Sequence, residues 1–243
     1  MCTLVLAWQV FDGTPIAAAA NRDEALARPS RPPGIIDDDP RVVAPQDEEA
    51  GGTWIGYNDA GLFVAITNRR TDVEGERSRG LLVRDALGQS STEAAVSLVR
   101  TELADSEYAG FNLVVGDAEE AALLEWDGVL RTTHFDPGVH VVVNEGYNEN
   151  ASKATRIREA MRPPADAGAG ANAEVDAWFD RAKEVLRDHD LGACVHGAGF
   201  GTRSSSLIAV DAAGDGRYWF ADGRPCETDY EVVAIDPAGD DQI

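Results

Sequence analysis

The first third of the chain alternates between short apolar runs and polar turns. Thr3 to Val10 (TLVLAWQV) and Ile16 to Asn21 (IAAAAN) flank Phe11-Asp12-Gly13-Thr14-Pro15, a cluster of turn formers, so the pair predicts a β-hairpin. Thr53 to Tyr57 and Leu62 to Asn68, joined through Asn58-Asp59-Ala60-Gly61, predict a second. The stretch between them, 28–51, is rich in Pro and Asp and reads mostly as loop. Helical spacing follows at Arg79 to Leu87 and Thr92 to Leu103. The second has Ala95, Val96, Val99 and Leu103 on one face and Ser91 or Thr92 to cap it. Strands resume at Phe111 to Gly116, Ala121 to Trp126, Val129 to Thr133 and Val139 to Asn144. Helices are predicted at Ser152 to Met161 and Ala173 to Asp188, separated by an exposed loop over 163–172. The last strands are Ser205 to Asp211, Arg217 to Ala221 and Glu231 to Ile235.

Strands thus come as hairpins and helices come in pairs, whereas a parallel sheet would need strand and helix to alternate. The expectation is one α+β domain over residues 1–243: a four-layer αββα sandwich of two mainly antiparallel sheets. No repeat of about 20–50 residues is visible.

Composition narrows the function classes. The 243 residues carry 43 acidic against 21 basic side chains, a formal net charge of -22, which argues against nucleic acid because phosphate binding needs clustered cations. At 44% hydrophobic residues the chain has enough apolar material for a core. No run approaches the roughly 18 apolar residues of a membrane span, and the N-terminus lacks the basic stretch of a signal peptide. The expectation is a soluble, cytoplasmic protein. Lys153 and Lys183 are the only lysines, and carboxylates are spread in short runs such as Asp37-Asp38-Asp39. That balance resembles proteins of a high-salt cytoplasm, where screening lengths shrink to about 3 Å at 1 M and self-repulsion is suppressed. An ordinary acidic protein is the alternative.

Cys2 is the first candidate for chemistry. Trimming of Met1 would leave a thiol beside its own α-amine, whose ordinary pKa of about 7.7–8.0 lets it accept a proton near neutrality. Position two alone does not separate a nucleophile from an incidental cysteine. Asn21-Arg22-Asp23-Glu24 ends the second strand of the first hairpin and would therefore lie beside Cys2. Alternation sends Arg22 and Asp23 to opposite faces unless the strand bends there. A solvated strand end with a local ion pair is the competing reading. Cys2, Cys194 and Cys226 make no disulfide framework and read as free thiols. Cys194-Val195-His196 resembles half of a metal site, but no second close pair follows. His134, His140, His189 and His196 add none, so the expectation is no metal. Gly197-Ala198-Gly199-Phe200-Gly201 leads into a strand-like run instead of a helix, which argues against a dinucleotide loop and for a backbone-accessible loop lining a pocket. Trp8, Trp54, Trp126, Trp178 and Trp219 read as packing residues.

Taken together, Met1-Cys2, Asn21-Arg22-Asp23-Glu24 with Arg28-Pro29-Ser30, Gly51-Gly52-Thr53-Trp54-Ile55-Gly56, Ala65-Ile66-Thr67-Asn68, Gly110-Phe111-Asn112-Leu113 and Gly199-Phe200-Gly201-Thr202-Arg203-Ser204 form one ordered pattern. It resembles the NRDE family, also called the transport and Golgi organisation protein 2 family. The resemblance implies an N-terminal-nucleophile (Ntn) hydrolase-like fold and links Cys2 to the cysteine amidases of that superfamily. By that analogy Cys2 is the nucleophile, Asp23 orients its amine, Asn68 and Asn144 are candidate oxyanion donors, and Arg203 neutralises charge or holds a substrate carboxylate. Those amidases typically carry Arg three residues before the Asp. Here Arg22 stands immediately before Asp23, so it is either a catalytic arginine or a brace for the turn. Val143-Asn144-Glu145-Gly146 stands where relatives often have Ser-Asn, so the Asn alone is carried over. Two functions are implied. One is an amidohydrolase or acyltransferase that needs no cofactor and acts on a small-molecule amide or acyl substrate through Cys2. The other is a carrier on the same fold, for haem or for acyl-coenzyme A and lipid-related ligands. The sequence does not set the oligomeric state.

Overall fold

The computed structural model describes residues 2–162 and 171–235. The first strands in chain order are β1 (Thr3–Phe11), β2 (Thr14–Ala25), β3 (Ser30–Asp38), β4 (Arg41–Asp47), β5 (Ile55–Asn58) and β6 (Phe63–Asn68). Helices α1 (Arg79–Leu87) and α2 (Thr92–Asp105) precede β7 (Phe111–Gly116), β8 (Ala121–Trp126), β9 (Leu130–His134), β10 (Gly138–Val143) and β11 (Gly146–Tyr147). A 3-10 turn (Asn148–Asn150) leads to α3 (Ser152–Ala160) and α4 (Ala171–Leu186), then β12 (Phe200–Val210), β13 (Gly216–Ala221) and β14 (Glu231–Val232).

Two antiparallel sheets result. The first runs β11-β10-β1-β2-β12-β13-β14 and the second β3-β4-β5-β6-β7-β8-β9. The period-two pattern explains the layering. On β1, Leu4, Leu6 and Trp8 enter the core between the sheets, while Val5 and Ala7 face the opposite way, onto α3 and α4 with Trp178, Phe179 and Ile157. The small Ala17 and Ala19 of β2 let α4 sit close to the strand. On the second sheet Val64, Leu113 and Val115 pack under Leu82, Val83 and Val99 of α1 and α2. The αββα sandwich is therefore the observed architecture. No helix among the described residues is long and apolar enough to cross a membrane.

The reading of 28–51 as loop is corrected: β3 and β4 occupy most of it. β3 is an edge strand with irregular register at Arg31/Gly34 and Ile35/Asp37, where Pro32 and Pro33 are tolerated and most side chains are not buried. The expected loop at 163–172 falls outside the described residues over 163–170, while 171 and 172 open α4. The chain over 233–235 is not strand.

Candidate active site

The site grows from strand register. β1 pairs Thr3 with Val143 of β10 on one side and with Asn21 of β2 on the other. Continuing both pairings by one residue puts Cys2 between Asn144 and Arg22, and Arg22 in turn pairs with Ser204 of β12. Even-numbered positions of β1 and β2 face the second sheet, so Asn144, Cys2, Arg22 and Ser204 form one row across four strands, directed into the interior of the sandwich. Ser204 stands in this row by plain alternation with Ile208 and Val210; the β12 register shifts only beyond it, between Thr202 and Ser204, and sets Thr202 opposite Asp23. The sequence reading quoted Ser204 in its motif without giving it a role. Its even position on a strand whose Ile208 and Val210 face inward was the available signal.

Alternation holds at the Asn21–Glu24 segment. Asn21 points to the helical layer and its Nδ2 donates to Leu186 O (2.8 Å) and Ala193 O (2.9 Å). Arg22 turns inward, buried, with its guanidinium 4.1 Å from the centroid of the Trp54 ring and 3.6 Å from Asp47 Oδ2. Asp23 turns to the helical side, where Thr202 Oγ1 donates to its Oδ1 at 2.7 Å. The backbone carbonyl of Asp23 lies 3.9 Å from Cys2 Sγ. Thus Arg22 flanks the thiol through its side chain, and Asp23 reaches it first through its main chain.

The remaining predicted residues divide. Asn144 Nδ2 donates to the backbone O of Asn68, tying the first sheet to the second. That bond uses one of the two N–H groups of the amide. The Asn68 side chain is exposed and lines the cavity described below. Arg203 does not join the row: it sits at the register shift with its Nη1 3.0 Å from exposed Asp222 Oδ1. Asn112 was quoted without a role; its Nδ2 donates to Thr67 Oγ1 (3.1 Å) and to Val143 O (2.9 Å), a second clasp between the sheets close to Cys2. Lys153, on α3, is buried, and Asp23, Glu145, Cys2 and Arg156 are its titratable neighbours.

A cavity of about 320 Å³ opens between the sheets, lined among others by Arg22, Arg28, Arg77, Arg79, Trp54 and Asn68. The four guanidinium groups share this lining with the carboxylates of Glu24, Asp47 and Glu76. Arg28 is bound to Asp47 and Arg77 to Asp85 and Glu102. Arg79, by contrast, donates to the Gly110 carbonyl at 2.8 Å and has no carboxylate partner among the described residues.

Burial governs the electrostatics. It pushes the Cys2 thiol up, and the Asp23 carboxylate adds to that, against the pull of Arg22. Burial likewise raises Asp23, opposed by the Thr202 hydroxyl and by Lys153. It lowers Lys153, Arg22 and Arg79. A thiol in this setting does not ionise unaided; it needs a base at hand.

The cavity wall depends on a close backbone approach. A Cβ placed on Gly52 would lie 2.2 Å from the carbonyl carbon of Gly80, and Thr53 N donates to Gly80 O at 2.9 Å. Gly52→Ala must therefore push α1 from the sheet. We expect a loss of about 3 kcal/mol of stability by urea unfolding; an unchanged midpoint would show that this contact yields freely.

A family model for Transport and Golgi organisation 2 matches residues 1–221. The chain belongs to the Transport and Golgi organisation 2 family. The bovine (Bos taurus) Transport and Golgi organization protein 2 homolog is 32% identical over 265 residues, covering 93% of this chain and 92% of its own. The human (Homo sapiens) homolog is 31% identical over 124 residues, 46% and 44% of the two chains. Among solved structures, penicillin V acylase from Agrobacterium tumefaciens superposes with a TM-score of 0.54 at 16% identity, covering 91% of this chain and 83% of that one. A mutant conjugated bile acid hydrolase from Clostridium perfringens gives 0.53 at 12%, with 97% of both chains covered. The Caenorhabditis elegans N-acylethanolamine-hydrolyzing acid amidase ortholog gives 0.59 at 12%, covering 88% and 94%. At these identities the likeness is one of fold. This Transport and Golgi organisation 2 family member has the Ntn-hydrolase-like fold.

Proposed function

We propose that the protein is an Ntn-type cysteine amidohydrolase or acyltransferase acting through Cys2 on a small amide or acyl substrate that carries a carboxylate. The observation that carries this reading is the row Asn144–Cys2–Arg22, aimed between the sheets beside an arginine-lined cavity. Removal of Met1 frees the α-amine of Cys2. That amine accepts the thiol proton as sulfur attacks the carbonyl carbon, so the C–S bond forms while the carbonyl π pair moves onto oxygen. The second N–H of Asn144 meets the oxyanion, where a single donor is worth about 10²–10³ in rate. Arg22 holds charge against the sulfur while Trp54 and Asp47 fix its plane. Collapse of the tetrahedral adduct breaks the C–N bond, and the ammonium returns its proton to the leaving amine. Water or a second amine then releases the acyl group.

The substrate carboxylate falls to Arg79, which lines the cavity and has no acidic partner among the described residues. The analogy-based assignment of that task to Arg203 is set aside, since its head is engaged by Asp222 outside the cavity lining. Arg79→Met is expected to raise KM for an N-acyl amino acid about 10–100-fold with kcat little changed, because a charge-assisted pair acts equally on ground and transition states. An equal fall in kcat for substrates with and without the carboxylate would refute the assignment.

The overall test is direct. Purified protein in molar KCl is mixed with N-acyl amino acids, amides and activated acyl esters, and intact mass is followed. Loss of Met1 and an acyl adduct on Cys2 support the proposal. Retained Met1 would end the self-activated mechanism, and stoichiometric haem or acyl-coenzyme A binding that survives Cys2→Ala without any adduct would favour the carrier instead.

A further inference from the structure

On the helical side of the first sheet, the fold collects four side chains that sequence spacing keeps apart. His189, Cys194 and His196 lie on the loop between α4 and β12, and Cys226 lies on the turn after β13. One ligand atom from each falls within 4.8 Å of all the others. Cys194 Sγ and Cys226 Sγ are 3.5 Å apart, and His196 Nε2 is 3.1 Å from Cys226 Sγ. Zinc bound tetrahedrally at about 2.3 Å to sulfur and about 2.0–2.1 Å to nitrogen requires ligand–ligand separations of about 3.3–3.8 Å. Those two distances match that frame within a few tenths of an ångström.

We propose that His189, Cys194, His196 and Cys226 bind one zinc ion in a Cys₂His₂ structural site. The expectation of no metal followed from spacing along the chain, where Cys226 stands 30 residues from His196. Packing of the β13–β14 turn against the loop removes that separation.

The surroundings suit the imidazoles as ligands. His189 Nδ1 lies 3.2 Å from the Cys194 carbonyl, which fixes the proton there and leaves Nε2 for the metal. His196 Nε2 faces the cluster while its Nδ1 lies 3.9 Å from Glu227 Oε1, beyond hydrogen-bond distance but close enough for the carboxylate to favour the N–H on Nδ1. The rings of His189 and His196 stand edge to face, 4.7 Å between centroids, so both can approach one point without stacking. Two thiolates with two imidazoles select zinc over hard cations. Binding forms two Zn–S bonds, breaks two S–H bonds and releases two protons to solvent. With all four positions filled by the protein, the ion has no open coordination site and serves as a clamp, not a catalyst.

The clamp bears on the row around Cys2 through short links. Val195, between two of the ligands, pairs with Thr202 in both directions: Val195 N donates to Thr202 Oγ1 (2.8 Å) and Thr202 N donates to Val195 O (2.9 Å). That same Thr202 hydroxyl holds Asp23. Ala193, next to Cys194, accepts from Asn21. Zinc would therefore fix the loop against which Asp23 is oriented.

The test uses the whole chain, purified under reducing conditions without an affinity histidine tag. One equivalent of zinc by elemental analysis supports the site. So does a cobalt(II) titration that saturates at one equivalent, with thiolate-to-cobalt charge transfer and the d–d intensity of a tetrahedral centre. Chelation should lower Tm by about 5–10 °C and increase amide exchange in 189–202 and 222–228. Cys226→Ser should abolish the cobalt charge-transfer band of that thiolate, and His196→Asn should weaken metal affinity at least about 10-fold. Should either variant fail to fold, the wild-type titration still decides. Free thiols with no zinc and no cobalt spectrum would overturn the proposal, as would a metal-free Cys194–Cys226 disulfide detected as a 2 Da mass deficit. These readouts require no enzymatic turnover, so they stand or fall apart from the assignment of Cys2.

Discussion

Cys2→Ala is expected to abolish acyl transfer, with kcat/KM falling at least about 10³-fold, while the protein keeps its fold. The nucleophile has no substitute in the row: Asn144 is an amide, and Ser204 stands beyond Arg22, its hydroxyl buried without a partner among the described residues. Loss of a covalent route is among the largest effects a single side chain can have. Stability should change little, because the one hydrogen bond of the Cys2 side chain among the described residues is weak, its Sγ 3.9 Å from the Asp23 carbonyl. Urea unfolding should place the variant within about 1 kcal/mol of the parent. Cys2→Ser serves as the control for position. Its hydroxyl stands in the same place, yet it is far less acidic than a thiol, so it should retain only a trace of activity. Full activity in Cys2→Ala would end the proposal. A lost fold would shift the role of Cys2 from chemistry to packing.

How much of this was legible in the sequence depends on what each segment buries. β1 and β7 put apolar residues on both faces because each lies between a helical layer and the opposite sheet, and their runs Thr3–Phe11 and Phe111–Gly116 stand out. β3 and most of β4 were hidden. An edge strand carrying Pro32, Pro33 and a row of aspartates buries too little to leave a pattern. The first part of β12 was hidden for a different reason. Residues 200–205 pair with 21–25, the polar end of β2, yet their glycines and polar side chains leave no apolar alternation, so this strand beside the site reads as a glycine-rich loop. The motif singled out Cys2, Arg22, Asp23 and Asn144, and register brings these together around the end of β1. It misplaced Arg203, which is an odd position outside the inward row and is skipped in the pairing where the β12 register shifts. Arg79 escaped notice as an ordinary first residue of a helix. Its position matters only because Gly52 and Gly80 bring α1 onto the sheet at that point.

Asp23→Asn should separate orientation from electrostatics through its pH profile. In the proposed mechanism the Cys2 amine must be neutral to take the thiol proton, so activity rises as that amine loses its own. An isolated α-amine does so at about pH 7.7–8.0. A carboxylate beside it stabilises the ammonium and moves the rising limb to higher pH; removing the charge moves it back down, by about one unit. Burial pushes Asp23 itself up, which means that the site holds this anion against a solvation cost, and the Thr202 hydroxyl and Lys153 offset part of it. Asn keeps the oxygen that accepts from Thr202 Oγ1, so the strand pairing of Thr202 with Asp23 has no reason to break. What is lost is the charge that fixes the amine, and the plateau rate should fall about 10²-fold. The measurement is kcat/KM against pH for both proteins in the same molar KCl, where exposed charges are screened and buried ones are not. A limb that stays in place, or moves to higher pH, would mean that Asp23 does not face the amine. Its carboxylate would then be a support for Thr202 alone, and the base that activates the sulfur would have to be sought at Lys153, whose ammonium form burial disfavours.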